Sequence, residues 1–130
     1  MSDVPVLFDT DILIWYRCGN SNAADLLDRT SVRQTSLIIY MELLQSSRGN
    51  DQNQRIRNFL SEFDFAILPL SENIGHRAAI YMEEYGPANG LGAMDPLIAA
   101  TAVESDINLA TGNVKHFSPI AELRVVRFKP

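Results

Sequence analysis

Short apolar runs of strand length alternate in this chain with segments whose apolar residues recur at helical spacing. The pattern predicts strands at Val4–Phe8, Arg33–Ser36, Phe65–Leu70, Asn108–Thr111 and Arg124–Phe128. Between them it predicts helices over Thr10–Cys18, Ser21–Arg29 with Ser21 as its cap, Leu37–Ser47, and Gln52–Phe63 with Ile56, Phe59, Leu60 and Phe63 on one face. A further helix runs from a Ser71 cap to about Tyr85, the stretch GPANGLGA follows as a loop, and Asp95-Pro96 opens the helix PLIAATAVE with Asp95 as N-cap. Strands and helices in such alternation pack as a mainly parallel sheet with helices on both faces, a three-layer α/β/α architecture. No internal repeat, low-complexity tract or linker interrupts the pattern, so residues 1–130 are expected to form a single domain.

Composition narrows the possible chemistry. With 46% hydrophobic residues in 130, the chain has enough apolar surface to build a core. Its formal net charge of −5 argues against holding nucleic acid mainly through a basic surface. An acidic protein can still act on phosphates when bound divalent metals supply the positive charge. The lone Cys18 rules out an intrachain disulfide and suggests a reducing compartment. With no basic leader before a long apolar segment and no window of membrane-spanning length, the expectation is a soluble cytoplasmic protein with no membrane partner.

Within this frame the acids stand out. VLFDTDILI sets Asp9 and Asp11 into an apolar run, and a carboxylate there is costly unless partnered. Asp9 suits the cap of the helix beginning at Thr10, with Asp11 favoured in the first turn by the helix dipole. Yet Asp9 also follows a buried strand, the place where ligands bind in open parallel sheets, and so it is favoured as a functional residue with Asp11 in support. Glu42 lies in a helix and has no cation three or four residues away, since Ile38, Ile39, Gln45 and Ser46 occupy those positions. Capping by Asp95 would leave lone pairs for a metal or its waters. The segment LATGNVKHF places Thr111, Asn113 and His116 in a polar turn after a strand, where each also has an ordinary structural reading.

Two families resemble parts of this pattern. The apolar strand followed by Asp-x-Asp is similar to the opening of haloacid-dehalogenase-type phosphatases, and LATGN is similar to their second motif. That likeness would need a lysine and a further acidic motif downstream, whereas Glu42 and Asp95 lie upstream and only Lys115 and Lys129 are available. Over nearly its full length, in the order FDTDILI, Glu42, MDPLIAATA and LATGNVKHF, the chain more closely resembles a PIN-domain ribonuclease of the VapC toxin type.

That resemblance implies that Asp9, Glu42 and Asp95 gather at the sheet's C-terminal edge and hold Mg²⁺ or Mn²⁺. It further implies that Asn113 joins them as a catalytic position, with Thr111 in support. His116 stands where many relatives carry a fourth acid. The implied activity is metal-dependent endonucleolytic cleavage of RNA by an activated water, leaving 5′-phosphate and 3′-hydroxyl ends. The implied partners are RNA, a second copy in a homodimer, and a VapB-like antitoxin whose C-terminal segment covers the groove; the acidic cluster itself would suit an arginine of that partner. The chemistry agrees with the residue types, because hard divalent cations prefer carboxylate oxygen and water. A PIN module that binds without cutting is the alternative, together with the phosphatase.

Overall fold

In the computed structural model, residues 4–130 are described, apart from the side chains of Pro87 and Ala88. The chain runs β1 (Val6–Phe8), α1 (Thr10–Arg17), α2 (Ser21–Asp28), β2 (Arg33–Ser36), α3 (Leu37–Gln45) and α4 (Asn50–Glu62). It continues through β3 (Ala66–Leu68), α5 (Glu72–Asn89), α6 (Met94–Glu104), β4 (Asn108–Thr111), α7 (Val114–Phe117) and β5 (Val125–Arg127). The five strands form one sheet in the order β3-β2-β1-β4-β5. Every neighbouring pair is parallel, so the sheet is wholly rather than mainly parallel.

β1 sits at the centre. Its side chains alternate between the two faces of the sheet, yet Val6, Leu7 and Phe8 are all buried, which requires helices on both faces. On one side Val6 and Leu7 pair with Arg33 and Gln34 of β2. On the other, Phe8 lies opposite Ala110 of β4. From β1 the chain builds outward to β2 and β3, then returns to β4 on the opposite flank. The gap beyond the ends of β1 and β4 is therefore a topological switch point, where ligand crevices form in sheets of this kind.

Packing fixes the strand ends in place. Phe8 meets Phe65 edge-on, and Tyr16, Phe59 and Phe63 form a contiguous aromatic cluster beside them. Arg33 ties that cluster to the backbone by donating to the carbonyls of Leu27 and Phe63. The small residues Ala99, Ala100 and Ala102 of α6 are fully buried, letting this helix lie against both α5 and β4.

Several boundaries differ from those read in the sequence. α2 is capped by Asn20, not Ser21: the Asn20 side chain accepts from the Ala23 amide at 2.9 Å. α4 begins at Asn50 rather than Gln52. α5 continues through Gly86 and Pro87 to Asn89 and stops at Gly90, whose left-handed φ of 69° is the terminator. The helix passes Gly86 in close packing, since a Cβ there would sit 2.4 Å from the Met82 sulfur. Only the second half of GPANGLGA is a loop. α6 starts at Met94, so Asp95 lies inside its first turn and is not its N-cap. The expected polar turn after β4 contains the single helical turn α7.

Candidate active site

Asp9 leaves β1 at the switch point. Its amide donates to the Ala110 carbonyl at 2.9 Å, extending the β1–β4 pairing by one residue. The carboxylate is 5% exposed. One oxygen accepts from the Thr10 amide at 2.8 Å, so Asp9 does cap α1, while the other accepts from the Thr111 hydroxyl at 2.7 Å. Burial pushes its pKa up to about 7, against the lowering effect of the Thr111 and Thr10 hydrogen bonds. The neighbouring charges of Asp11 and Glu42 push it up further.

Glu42 reaches this position from β2. Ser36 ends the strand and caps α3 by accepting from the Ile39 amide at 3.1 Å. One turn further along, Glu42 projects toward α1, where it accepts the Thr10 hydroxyl proton at 2.6 Å. Thr10 thus joins the two acids, donating its backbone N–H to Asp9 and its hydroxyl to Glu42.

Asp11 braces the last motif. Its Oδ2 accepts from the Gly112 amide at 2.9 Å, while Oδ1 is buried and has no hydrogen-bond partner. A Cβ on residue 112 would fall 2.4 Å from that Oδ2, so a larger residue there would have to displace the Asp11 carboxylate. Burial also raises the Asp11 pKa, and the Gly112 amide works against it. Thr111 accepts from the Asn113 amide at 3.0 Å and donates to Asp9, so the turn after β4 is tied to both acids of the first motif. Asn113 itself is exposed at the rim, and its side chain does not cap α7.

Asp95 comes from the other wall. Its Oδ2 accepts from the Gly92 amide at 3.4 Å and lies 3.5 Å from His116 Nδ1. Met94, the residue before it, lines one cavity with Glu42, so α6 and α3 form two sides of a single cleft. The acids meet unevenly, however. Among the described residues no three His, Cys, Asp or Glu side chains converge closely enough to hold one ion between them. Asp9 and Glu42 are coupled through Thr10, and Asp95 is held apart with His116. A larger cavity of about 480 Å³ between Arg48 and Arg55 contains none of these acids.

Thr10 and Gly112 carry no charge and were not singled out in the sequence. Their signal was spacing: a hydroxyl directly after Asp9, and a glycine directly after β4 where a second chain segment presses in.

Comparison with known proteins identifies the family. The PIN domain family model matches residues 6–123, a span that includes Glu42 and Asp95, which the phosphatase likeness left out of order. The chain is 34% identical over 125 residues to ribonuclease VapC10 of Mycobacterium tuberculosis, covering 92% of this chain and 90% of that protein. It is 28% identical over 127 residues to ribonuclease VapC1 of Rickettsia felis, covering 93% and 94%. A solved toxin–antitoxin complex from Klebsiella pneumoniae superposes with a TM-score of 0.76 at 34% identity, covering 93% of this chain and 95% of that one. With strand order, the placement of the opening acid and these matches in agreement, the chain belongs to the PIN-domain family, within its VapC branch.

Proposed function

We propose that this protein is an endoribonuclease toxin that hydrolyses RNA phosphodiester bonds with Mg²⁺ or Mn²⁺ and is neutralised by a VapB-like antitoxin. The carrying observation is the state of Asp9: a buried carboxylate crowded by Asp11 and Glu42. None of these three makes an ion pair with a Lys or Arg among the described residues. Such a cluster is stable as a set of anions only when a cation joins it from outside. The names borne by the relatives, ribonuclease VapC10 and a toxin–antitoxin complex, supply the substrate class and the kind of partner.

The donor set suits a hard divalent ion. Asp9 and Glu42 would hold it directly, with Asp95 on the facing wall reaching it through the ion's waters; one or two direct carboxylates are enough, because Mg²⁺ keeps several of its waters. When bound, the ion supplies positive charge that eases deprotonation of water and offsets charge gathering on the scissile phosphate. The chain's own groups do the positioning. Thr111 and the Thr10 amide fix the Asp9 carboxylate, and the Thr10 hydroxyl aims Glu42. Asn113 stands at the open rim, where its amide can donate to a phosphate oxygen. Water attacks phosphorus, the bond to the 3′ oxygen breaks, and that oxygen leaves with a proton, giving 5′-phosphate and 3′-hydroxyl ends with no covalent enzyme intermediate. Pairing as a homodimer belongs to the same proposal. Among the described residues no helix is long and apolar enough to cross a membrane.

The test is cleavage of RNA by purified protein with Mg²⁺ or Mn²⁺, beside Asp9→Asn, Glu42→Gln and Asp95→Asn. Activity confined to the unaltered protein supports the proposal; equal activity in the variants marks a contaminating nuclease. A second reading, a PIN module that binds RNA without cutting it, draws on His116 in the place of a fourth acid. RNA binding with no cleavage in either metal would favour it.

A further inference from the structure

The cleft beside Glu42 extends past the acids. About 330 Å³ of space is lined by Ile38, Met41, Glu42 and Gln45 of α3 and by Met94 at the start of α6. That is the lower end of the ~300–1,000 Å³ typical of small-molecule clefts. Residues 38, 41, 42 and 45 are three or four apart, so they share one face of α3. Met41 is 52% exposed and Met94 42%, so neither thioether belongs to the core. Gln45 is exposed, and no hydrogen bond among the described residues engages its side chain. The lining contains no Lys or Arg, which makes it a poor seat for a phosphate.

We infer that this cleft takes one unpaired nucleobase of the RNA, next to the bond that is cut, with Met41 and Met94 gripping the ring and Gln45 reading its edge. The inference rests on the nuclease reading and adds a specificity determinant to it. Glu42 is the link: it forms a wall of the cleft and also joins Asp9 through Thr10, so a strand whose phosphate faces the acids has a neighbouring base at the cleft. Flexible, polarizable thioethers make favourable contacts with aromatic rings and adapt to different ones. Single-stranded RNA is recognised through splayed bases whose edges are hydrogen-bonded, and a glutamine amide offers both donor and acceptor for that purpose. An apolar side chain of a protein partner would use the thioethers but leave the amide idle.

Two measurements decide the matter. In the first, cleavage is followed on oligonucleotides varied at the positions flanking the cut, for the unaltered protein and for Gln45→Ala, Met41→Ala and Met94→Ala. Gln45→Ala is expected to flatten the base preference at one flanking position. Each Met variant should lower kcat/KM by about three- to tenfold. An abasic nucleotide at that position should cost the unaltered protein the same factor and cost the Met variants little more. Fully additive losses would overturn the inference. In the second, binding of an oligonucleotide carrying 2-aminopurine is followed by its fluorescence with the Asp95→Asn protein, with and without the same substitutions. This readout does not need cleavage, so a protein that cuts nothing but shows a Met41-dependent fluorescence change refutes the nuclease reading while keeping the base site. Unchanged fluorescence and unchanged base preference, with antitoxin inhibition weakened, would assign the cleft to the partner and overturn the inference. Unchanged melting temperatures show that the three exposed positions have not disturbed the fold.

Discussion

Arg77 and Asp9 each stand among carboxylates, but only the group around Arg77 contains a base. Arg77 pairs with Glu104 and Glu122, and Tyr81 donates its hydroxyl to Glu122. The Tyr81 hydroxyl, and then Arg77, hold the Glu122 carboxyl below its usual range, while burial and Glu122 push Tyr81 up to about 12. Both acids there share one base within the fold. At Asp9 the shift runs the other way, because burial and two further acids meet no base. Paired charge of the first kind ties α5 to α6 and to the segment before β5. Unbalanced charge of the second kind lowers stability and is retained where an outside cation completes it.

Four predictions test that contrast. The largest effect belongs to Asp9→Asn, which should reduce RNA cleavage by about 100-fold or more without lowering the melting temperature. A parallel loss of activity and folding would put Asp9 in the same structural class as Arg77.

Next comes the pH dependence of metal-free protein. The folded-state pKa of Asp9 lies near 7, above its ordinary 3.8. The folded state therefore binds more protons than the unfolded one between these values, and stability falls as pH rises through that window. The penalty, fully present above about pH 7, is on the order of 4 kcal/mol. Urea unfolding at pH 5 and pH 8 should show that decline, and Asp9→Asn should flatten it. A slope that survives the substitution would trace the effect to other groups.

Arg77→Ala should act in the opposite sense. It leaves Glu104 and Glu122 unpaired and should destabilise by roughly 1 kcal/mol, reduced by the solvent around this half-buried group. Cleavage per folded molecule should stay constant, and lost cleavage would tie the two clusters together. The smallest effect is expected at Asp64, which ends α4 with a left-handed φ of 55°. Glycine tolerates that conformation, so Asp64→Gly should stabilise by about 0.5 kcal/mol in thermal melts, with no change at either cluster.

Legibility from sequence followed the range of the interactions. Most strand positions rest on local runs of apolar residues and were readable from them, and with them the place of Asp9 past a central strand; β2, Arg-Gln-Thr-Ser, has no such run and is legible only as the lead into the apolar segment that follows. Helix ends were less so. Gly86-Pro87 reads as a stop, but α5 continues through both to Asn89 and is capped by Gly90. Asp95-Pro96 reads as a cap, yet α6 starts one residue before Asp95 and turns its carboxylate toward Gly92 and His116. Links between distant segments could not be read from local pattern at all. Thr10 joins Glu42 across 32 positions, and Asp11 meets Gly112 across 101. Such contacts follow from the strand order, which depends on the whole chain.

The missing counter-charge can be measured by calorimetric titration of Mn²⁺ at pH 6.5, in two buffers of different ionisation enthalpy, with unaltered protein and Asp9→Asn. At that pH Asp9 is largely protonated, so binding to the unaltered protein should release part of a proton, and Asp9→Asn should lose both the binding and the release. Equal Mn²⁺ binding by the two proteins, or none by the unaltered one, would contradict the account.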